Sequence, residues 1–400
     1  MIQKLWLGVI LLTGCNAFSP KPVEENQILD GPMEGLSEEQ FAQFFRGDED
    51  FSNTFTVETG LGPIFVATSC ISCHAGDGKG HPFTTLVRFG QSDTTGNTFL
   101  SKGGPQLQNR AIPGNTEELI PSGATFSSFL PPAVTGLGLL AALTDNQILA
   151  YSDPNDTNGD GISGRPNYID PPDYFLANNL HNALNGRYIG RFGKKAAAIT
   201  LQHQVVNAYN EDMGITTDFR MEDPVNYQVS NHTADNVPDP EVSASVVNNV
   251  VFYLRTLKAP LRRDIENPDV IAGKVLFETI GCNNCHISSW TTMDSDIEVL
   301  SNTTFAPYTD LLLHDMGPAL DDNYTEGIAE TSEWKTPALW GLGLSKDSQG
   351  GSYFLMHDGR AYGIEEAITF HGGEGEMSKQ SFLSLTEIEK SQIIQFLESL

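Results

Sequence analysis

Cys70-Ile71-Ser72-Cys73-His74 and Cys282-Asn283-Asn284-Cys285-His286 are the two stretches on which the reading of this chain turns. Both are CxxCH, the attachment pattern of a c-type haem. The spacing has a chemical reason. Two thiols three positions apart on one helical turn can add to the two vinyl groups of one porphyrin, and the adjacent His presents its imidazole to the iron. Cys70, Cys73 and His74 are therefore expected to hold one covalent haem, and Cys282, Cys285 and His286 a second. A single CxxC is also a redox or zinc motif, and two pairs together can form one zinc site with four thiolate ligands. The His after each pair, and the lack of a spare Cys for disulfides, favour two haems.

The chain has 400 residues, with 23 Lys+Arg against 51 Asp+Glu, so its net charge is 23 − 51 = −28. Such a surface disfavours nucleic acid, which needs clustered cations for its phosphates. It suits a cationic protein partner or a salty habitat. Hydrophobic residues at 39% suffice for a core. No apolar run approaches the roughly 18–20 residues of a membrane span.

At the N-terminus, Lys4 precedes an apolar run from Leu5 to Leu12 that ends in Leu12-Thr13-Gly14-Cys15. This is a signal-peptide pattern over 1–14 and resembles a bacterial lipoprotein box, with Cys15 as the lipidated first mature residue. An ordinary secretory signal with an incidental Cys is the bland alternative. Residues 15–36 are polar, contain Pro and Gly, and are expected to be a tether. An acyl anchor would hold the protein at a membrane surface, on the periplasmic or cell-surface side. Export fits haem attachment, which takes place there.

The two motifs lie 212 residues apart, and the likeness extends around them. Ile64-Phe65 precedes the first as Leu276-Phe277 precedes the second. Pro132-Ala133-Val134-Thr135-Gly136-Leu137-Gly138-Leu139 echoes Pro337-Ala338-Leu339-Trp340-Gly341-Leu342-Gly343-Leu344, and Gly190-Arg191 echoes Gly359-Arg360. Ordered recurrence of this kind argues for duplication. The expected fold is mainly α and loop-rich: two cytochrome c-like haem domains in tandem, at 37–262 and 263–400, with a large insertion in the first. Helices are predicted over 37–45, 242–257, 270–278, 365–370 and 386–400, the last with a capping-box pattern. Residues 222–240 are polar and hold three Pro, so they read as a surface loop.

Asp156, Asn158 and Asp160, with Gly161 following, match the first half of an EF-hand-type calcium loop. The twelfth position is Asn167 rather than Glu, so the bidentate carboxylate is missing. A polar turn is the alternative.

Three segments carry a family likeness: residues 311–320 (LLLHDMGPAL), residues 334–343 (WKTPALWGLG) and His357-Asp358-Gly359-Arg360. With Gly190-Arg191-Phe192-Gly193 and Asp212-Met213-Gly214, they make the chain resemble the dihaem oxidoreductase family of peroxidases. That family is related to bacterial dihaem cytochrome c peroxidases. The resemblance spans about residues 35–400. It implies that the His74 haem reacts with peroxide. The His286 haem would take electrons from a small donor cytochrome or cupredoxin.

The resemblance also places the sixth ligand of the second haem at His371, where the peroxidases have Met, and so implies His286/His371 coordination. Met377 is the rival. His357 and His314 are left either beside the haem or in its hydrogen bonds. For the first haem the internal repeat places Gln202 opposite His371, and the peroxidases have a Gln at this position. Ten residues on, Asp212 falls where the peroxidases carry a catalytic Glu, with Glu211 as the alternative. Peroxide reduction takes a proton from one oxygen and delivers one to the other, and a carboxylate can shuttle it. The Trp that the peroxidases carry between their haems is replaced by Ile189. Tyr188, Phe192 and the Trp residues of the second half are candidates for that role, and Phe192 is also a candidate for the distal pocket. Arg187, Arg191 and Arg360 are candidate propionate partners or surface ion pairs. The leading expectation is reduction of hydrogen peroxide. Oxidation of an organic or protein substrate stays open. So do a non-catalytic electron carrier with His203 on the first iron, and an accessory role in metal uptake.

Overall fold

The computed structural model describes residues 28–400. The expected signal peptide at 1–14, Cys15 and the tether up to residue 27 lie outside them. The tether does not extend to residue 36. The Met33 amide donates to the Thr256 carbonyl at 2.8 Å, and the Lys258 amide donates to the Gly31 carbonyl at 2.8 Å. These backbone bonds fix Pro32 against Leu257 and order the chain from there on.

Ten α-helices form among the described residues: α1 Glu38–Ser52, α2 Leu137–Ala141, α3 Asp145–Leu149, α4 Leu201–Asn207, α5 Ala244–Thr256, α6 Pro268–Thr279, α7 Ser345–Ser348, α8 Ile364–Phe370, α9 Glu376–Leu383 and α10 Glu387–Ser399. The strands are short, and each pairs with one other. The helix-rich, loop-rich expectation holds. Local chemistry starts the long helices. Ser37 and Gln40 form a capping box on α1, as Thr386 and Glu389 do on α10. Asn267 caps α6, with Pro268 at its first position.

α1 runs seven residues past the predicted end at 45, through Gly47. A Cβ on Gly47 would stand 2.2 Å from the Asn249 carbonyl oxygen of α5. α6 and α10 meet the same way, since a Cβ on Gly273 would stand 1.9 Å from the Gln392 carbonyl oxygen. A mid-helix Gly costs roughly 1 kcal/mol of propensity. Here it lets two helix backbones touch and bury their apolar stripes, each large side chain worth about 1.5–3 kcal/mol. Phe44 and Phe51 of α1 pack on Tyr253 of α5, and Phe277 of α6 packs on Phe396 of α10. Phe51 and Phe277 also stand beside His74 and His286, each at 6.2 Å between ring centres.

This geometry corrects the constant offset of 212. Phe65 is in a strand, and Phe51 is the residue that does what Phe277 does. The first half carries extra chain between its helix and its motif. The Pro-Ala-x-x-Gly-Leu-Gly-Leu echo survives. Gly136 and Gly341 both take left-handed φ, at 71° and 68°. Gly138 then lies against the Arg255 carbonyl of α5 as Gly343 lies against the Glu398 carbonyl of α10.

One apolar core draws on residues between 44 and 257, and another on residues between 270 and 400. A third joins Leu139, Leu143 and Ile189 to Trp290, Leu312 and Trp340. Residues 222–240 are irregular as expected, but Asn226 and Asp235 within them are buried.

Gly273→Ala should force α6 and α10 apart. Overpacking of this kind costs about 1–3 kcal/mol, and thermal unfolding should show a lower Tm than Ala placed at the half-exposed Lys274.

Candidate active site

One continuous cavity of about 950 Å³ runs between the two motifs, with Cys70, Cys73, His74, Cys282, Cys285 and His286 on its wall. The four thiols are free. They do not gather into one four-thiolate cluster, since Cys285 is the sole Cys in any metal-sized group among the described residues. Burial pushes Cys70 and Cys282 up to about 12 and Cys73 to about 11. These are protonated thiols, unlike the low-pKa thiolates of redox CxxC pairs.

The two motif imidazoles share one arrangement. His74 Nδ1 donates to the Pro132 carbonyl at 2.8 Å, and His286 Nδ1 donates to the Tyr308 carbonyl at 2.9 Å. A ring nitrogen so committed fixes the tautomer and leaves Nε2 with its lone pair free for a metal. Burial holds both rings neutral, with pKa values lowered to about 4. His371, at the end of α8, does the same. Its Nδ1 donates to the Ala367 carbonyl at 2.9 Å, the ring lies on the cavity wall, and burial lowers its pKa. His286 and His371 line the same cavity. Met377 points away, 73% exposed.

The other wall imidazoles are committed. His314 lies between Asp310, at 2.7 Å from Nε2, and Glu374, at 2.5 Å from Nδ1. Burial works against its charged form, but the two carboxylates override this and raise its pKa well above the usual range. His357 stacks on Trp334 at 3.7 Å, and its Nε2 bonds Asp322 at 2.7 Å. His203 does not line the cavity. Its Nδ1 accepts the Ile199 amide at 3.3 Å.

Near the first motif, α4 runs directly into a π-helical turn, Ala208–Asp212. Such turns often mark functional sites. This one sets Glu211 and Asp212 on the cavity wall. The Asp212 carbonyl takes the Val66 and Ala67 amides at 2.7 and 2.9 Å, which ties the turn to the chain just before Cys70. Gln106 Nε2 donates to Asp212 Oδ1 at 2.5 Å. Burial raises Asp212 to about 6, against the pull of the Gln106 bond. Glu211 is held by Arg88 at 2.7 Å, and Arg88 is shared with Glu326 at 2.9 Å. Gln202 is not on the wall. Gln204 is, because two positions along the helix turn the side chain by roughly 200°, to the cavity side.

The arginines singled out in the sequence are mostly spent. Arg191 is buried against Asp145 at 2.6 Å and donates to the Leu143 carbonyl. Arg360 bonds Asp358, Asp322 and the Ala319 carbonyl, off the cavity wall. Arg187 is on the wall but paired with Asp170. Three lysines take their place. Lys79, Lys194 and Lys335 line the cavity, and none has a carboxylate within ion-pair distance among the described residues. The Lys335 amide donates to the Lys194 carbonyl at 3.0 Å, so two of them sit side by side. Burial lowers Lys79 and Lys335 to about 8. Burial together with repulsion from those two lowers Lys194 to about 7. Three uncompensated cations inside a cavity ask for anions, and haem propionates have that chemistry. Lys335 lies inside residues 334–343 and Lys194 follows Gly193, but nothing in those segments marks a lysine as unpaired, and Lys79 lies in none of them.

The loop at 156–161 closes on itself. Asp156 accepts the Gly161 amide at 3.2 Å, Asn158 accepts the Asp160 amide at 3.0 Å, and Asp160 accepts the Ile162 amide at 2.9 Å. Asn167, the twelfth position, is buried elsewhere and bonds Lys195, Glu326 and Ile328. The loop is thus a set of Asx turns without its twelfth ligand.

The free Nε2 atoms, the paired thiols and the uncompensated lysines line one cavity, and the donor set suits haem. A family model described as "Di-haem oxidoreductase, putative peroxidase" matches residues 127–400. The chain belongs to this family. No curated protein matches it. Among solved structures, hydrazine synthase of Kuenenia stuttgartiensis is 15% identical with a TM-score of 0.39, covering 100% of both chains. A MauG-like protein associated with microbial copper homeostasis is 14% identical with a TM-score of 0.39, covering 96% of this chain and 95% of that one. The family match begins beyond Cys70, so it does not cover the first CxxCH motif of this dihaem oxidoreductase. Among the described residues, no helix is long and apolar enough to cross a membrane.

The Asp145–Arg191 pair braces the cavity wall of this dihaem oxidoreductase from behind. Asp145→Ala leaves a buried guanidinium without its partner and should cost about 3–5 kcal/mol, read as a large fall in Tm.

Proposed function

We propose that this dihaem oxidoreductase reduces hydrogen peroxide, H2O2 + 2 e⁻ + 2 H⁺ → 2 H2O. The electrons come from a small cytochrome or cupredoxin. Cys70 and Cys73 hold one haem covalently with His74 as its ligand, and Cys282 and Cys285 hold the other with His286, in two tandem haem domains. The protein is exported and anchored to a membrane surface through Cys15. The observation that carries the reading is an asymmetry along one cavity. The second motif faces a further imidazole, His371, prepared as a ligand. The first faces a buried carboxylate, Asp212, held by Gln106.

When bound, the haems supply the iron that receives peroxide and the store for two electrons. The chain handles the protons. Asp212, with a pKa of about 6, is ionised near neutral pH yet close enough to titration to accept a proton and return it. Gln106 donates to one oxygen of Asp212 and fixes the direction of the other. Arg88 keeps Glu211 paired, so the neighbouring carboxylate stays out of the exchange. Lys79, Lys194 and Lys335, on the cavity wall, would hold the haem propionates.

Electron paramagnetic resonance of the holo-protein, oxidised and half-reduced, tests the asymmetry. A high-spin ferric signal from one haem is expected in at least one state. Low-spin signals alone, with no high-spin component in either state, would mean a bis-ligated electron carrier and sink the peroxidase reading. His371→Ala should turn the second haem high-spin.

The rate should also follow Asp212. Its carboxylate must be ionised to accept a proton, so kcat/KM should rise with pH through about 6. Asp212→Asn should lose about 10²-fold or more in turnover, together with that limb of the pH profile.

A further inference from the structure

Three carboxylates converge near Thr216, just beyond the turn that carries Asp212. Asp223, Asp235 and Glu241 each bring a carboxylate oxygen within 4.8 Å of the others. Each also keeps one buried oxygen, Asp223 Oδ1, Asp235 Oδ2 and Glu241 Oε1, that receives no hydrogen bond. Asp235 is 9% exposed. No Lys or Arg forms an ion pair with any of the three among the described residues. Leaving such oxygens buried without a donor or a cation is costly, and like charges in contact add to the cost.

The remaining oxygens are held by protein donors. Asp235 Oδ1 accepts the Val237 amide at 2.7 Å. Glu241 Oε2 accepts the Thr216 amide at 2.8 Å and the Thr216 hydroxyl at 2.7 Å. Asp239 joins through Thr216 Oγ1, which donates to its Oδ1 at 2.8 Å. Asp235 and Glu241 thus have one oxygen oriented by the fold and one left over, as carboxylate ligands of a metal do. Burial, then repulsion from Asp235 and Asp239, pushes Asp223 up to about 6, and burial raises Glu241 as well.

We propose that Asp223, Asp235 and Glu241, with Asp239 beside them, bind one calcium ion. The donors are all hard oxygens, with no imidazole or thiol among them, which selects calcium or magnesium over transition metals. Two ligands on opposite sides of calcium stand about 4.8 Å apart, given Ca–O bonds of about 2.4 Å. Magnesium keeps most of its water and seldom takes three carboxylates at once. The ion closes the loop from 223 to 241 onto Thr216. That residue is four past Asp212, so the loop and the proton-handling turn share one anchor.

The test uses the holo-protein, stripped of divalent ions and then dialysed against radioactive Ca2+. One tightly held Ca2+ per chain is expected. Asp235→Asn and, separately, Asp223→Asn should each weaken it at least tenfold. Both remove a like charge from the cluster, so both should keep the wild-type circular dichroism. The double variant Asp156→Asn/Asp160→Asn should keep the ion. Chelation should lower the wild-type Tm, and Ca2+ should restore it. No bound Ca2+ in the wild type would overturn the proposal, as would unchanged binding in both cluster variants. Loss of the ion in the Asp156→Asn/Asp160→Asn protein alone would also overturn it, by placing calcium in the other loop.

Discussion

An imidazole that has given its Nδ1 proton to a main-chain carbonyl has one lone pair left and one direction in which to offer it. His74, His286 and His371 are all in that state, on Pro132, Tyr308 and Ala367. The acceptors are backbone atoms, so the ring directions depend on the fold rather than on a second side chain. For the two motif residues the backbone in question is held by a helix pair, α1 with α5 and α6 with α10. Each pair crosses at a glycine. Without the close approach at Gly47 and Gly273, Phe51 and Phe277 would not reach the rings beside which they stand.

His371 departs from this scheme in an instructive way. It caps α8, and the chain turns immediately through Gly372 and Gly373 against Met316 and Gly317, too close for any side chain. Glu374 then bonds Ser163, His314 and the Asp315 amide. The ring is therefore held by a bond to its own helix and by a turn pinned three residues later. The carboxylate that pins the turn is itself held by a charged His314. Charge buried that deeply is tolerable only because Asp310 and Glu374 flank it on both ring nitrogens.

Much of this was legible in the residues. CxxCH names its chemistry, and helix caps at Ser37, Asn267 and Thr386 announce where chains turn into helices. Asp212 was found through likeness, and the structure sets it on the cavity wall. Two kinds of information were not legible. One is helical phase. Gln202 was counted from a repeat, whereas the helix carries Gln204 to the wall and a π turn changes the phase just beyond it. The other is which cation has a partner. Arg191 was read as a propionate partner or a surface ion pair by residue type, but its carboxylate, Asp145, lies 46 positions away and meets it only after folding, in the interior. Lys79, Lys194 and Lys335 were passed over because a lysine without a partner has no signature in one dimension.

Those lysines bear on a larger contrast. The chain as a whole carries −28, yet the cavity between its motifs carries three cations with no carboxylate paired to them. Exterior and interior thus select for opposite charges. Inside, propionates would relieve the repulsion that lowers Lys194, so cofactor binding and the charge state of the cavity are linked. Outside, an acidic surface attracts cationic molecules over distances set by the salt, roughly 8 Å at physiological ionic strength. The segregation also keeps the two apart. A cationic protein meets no attraction from the cavity lysines, so the acidic exterior and the cationic interior attract different classes of molecule.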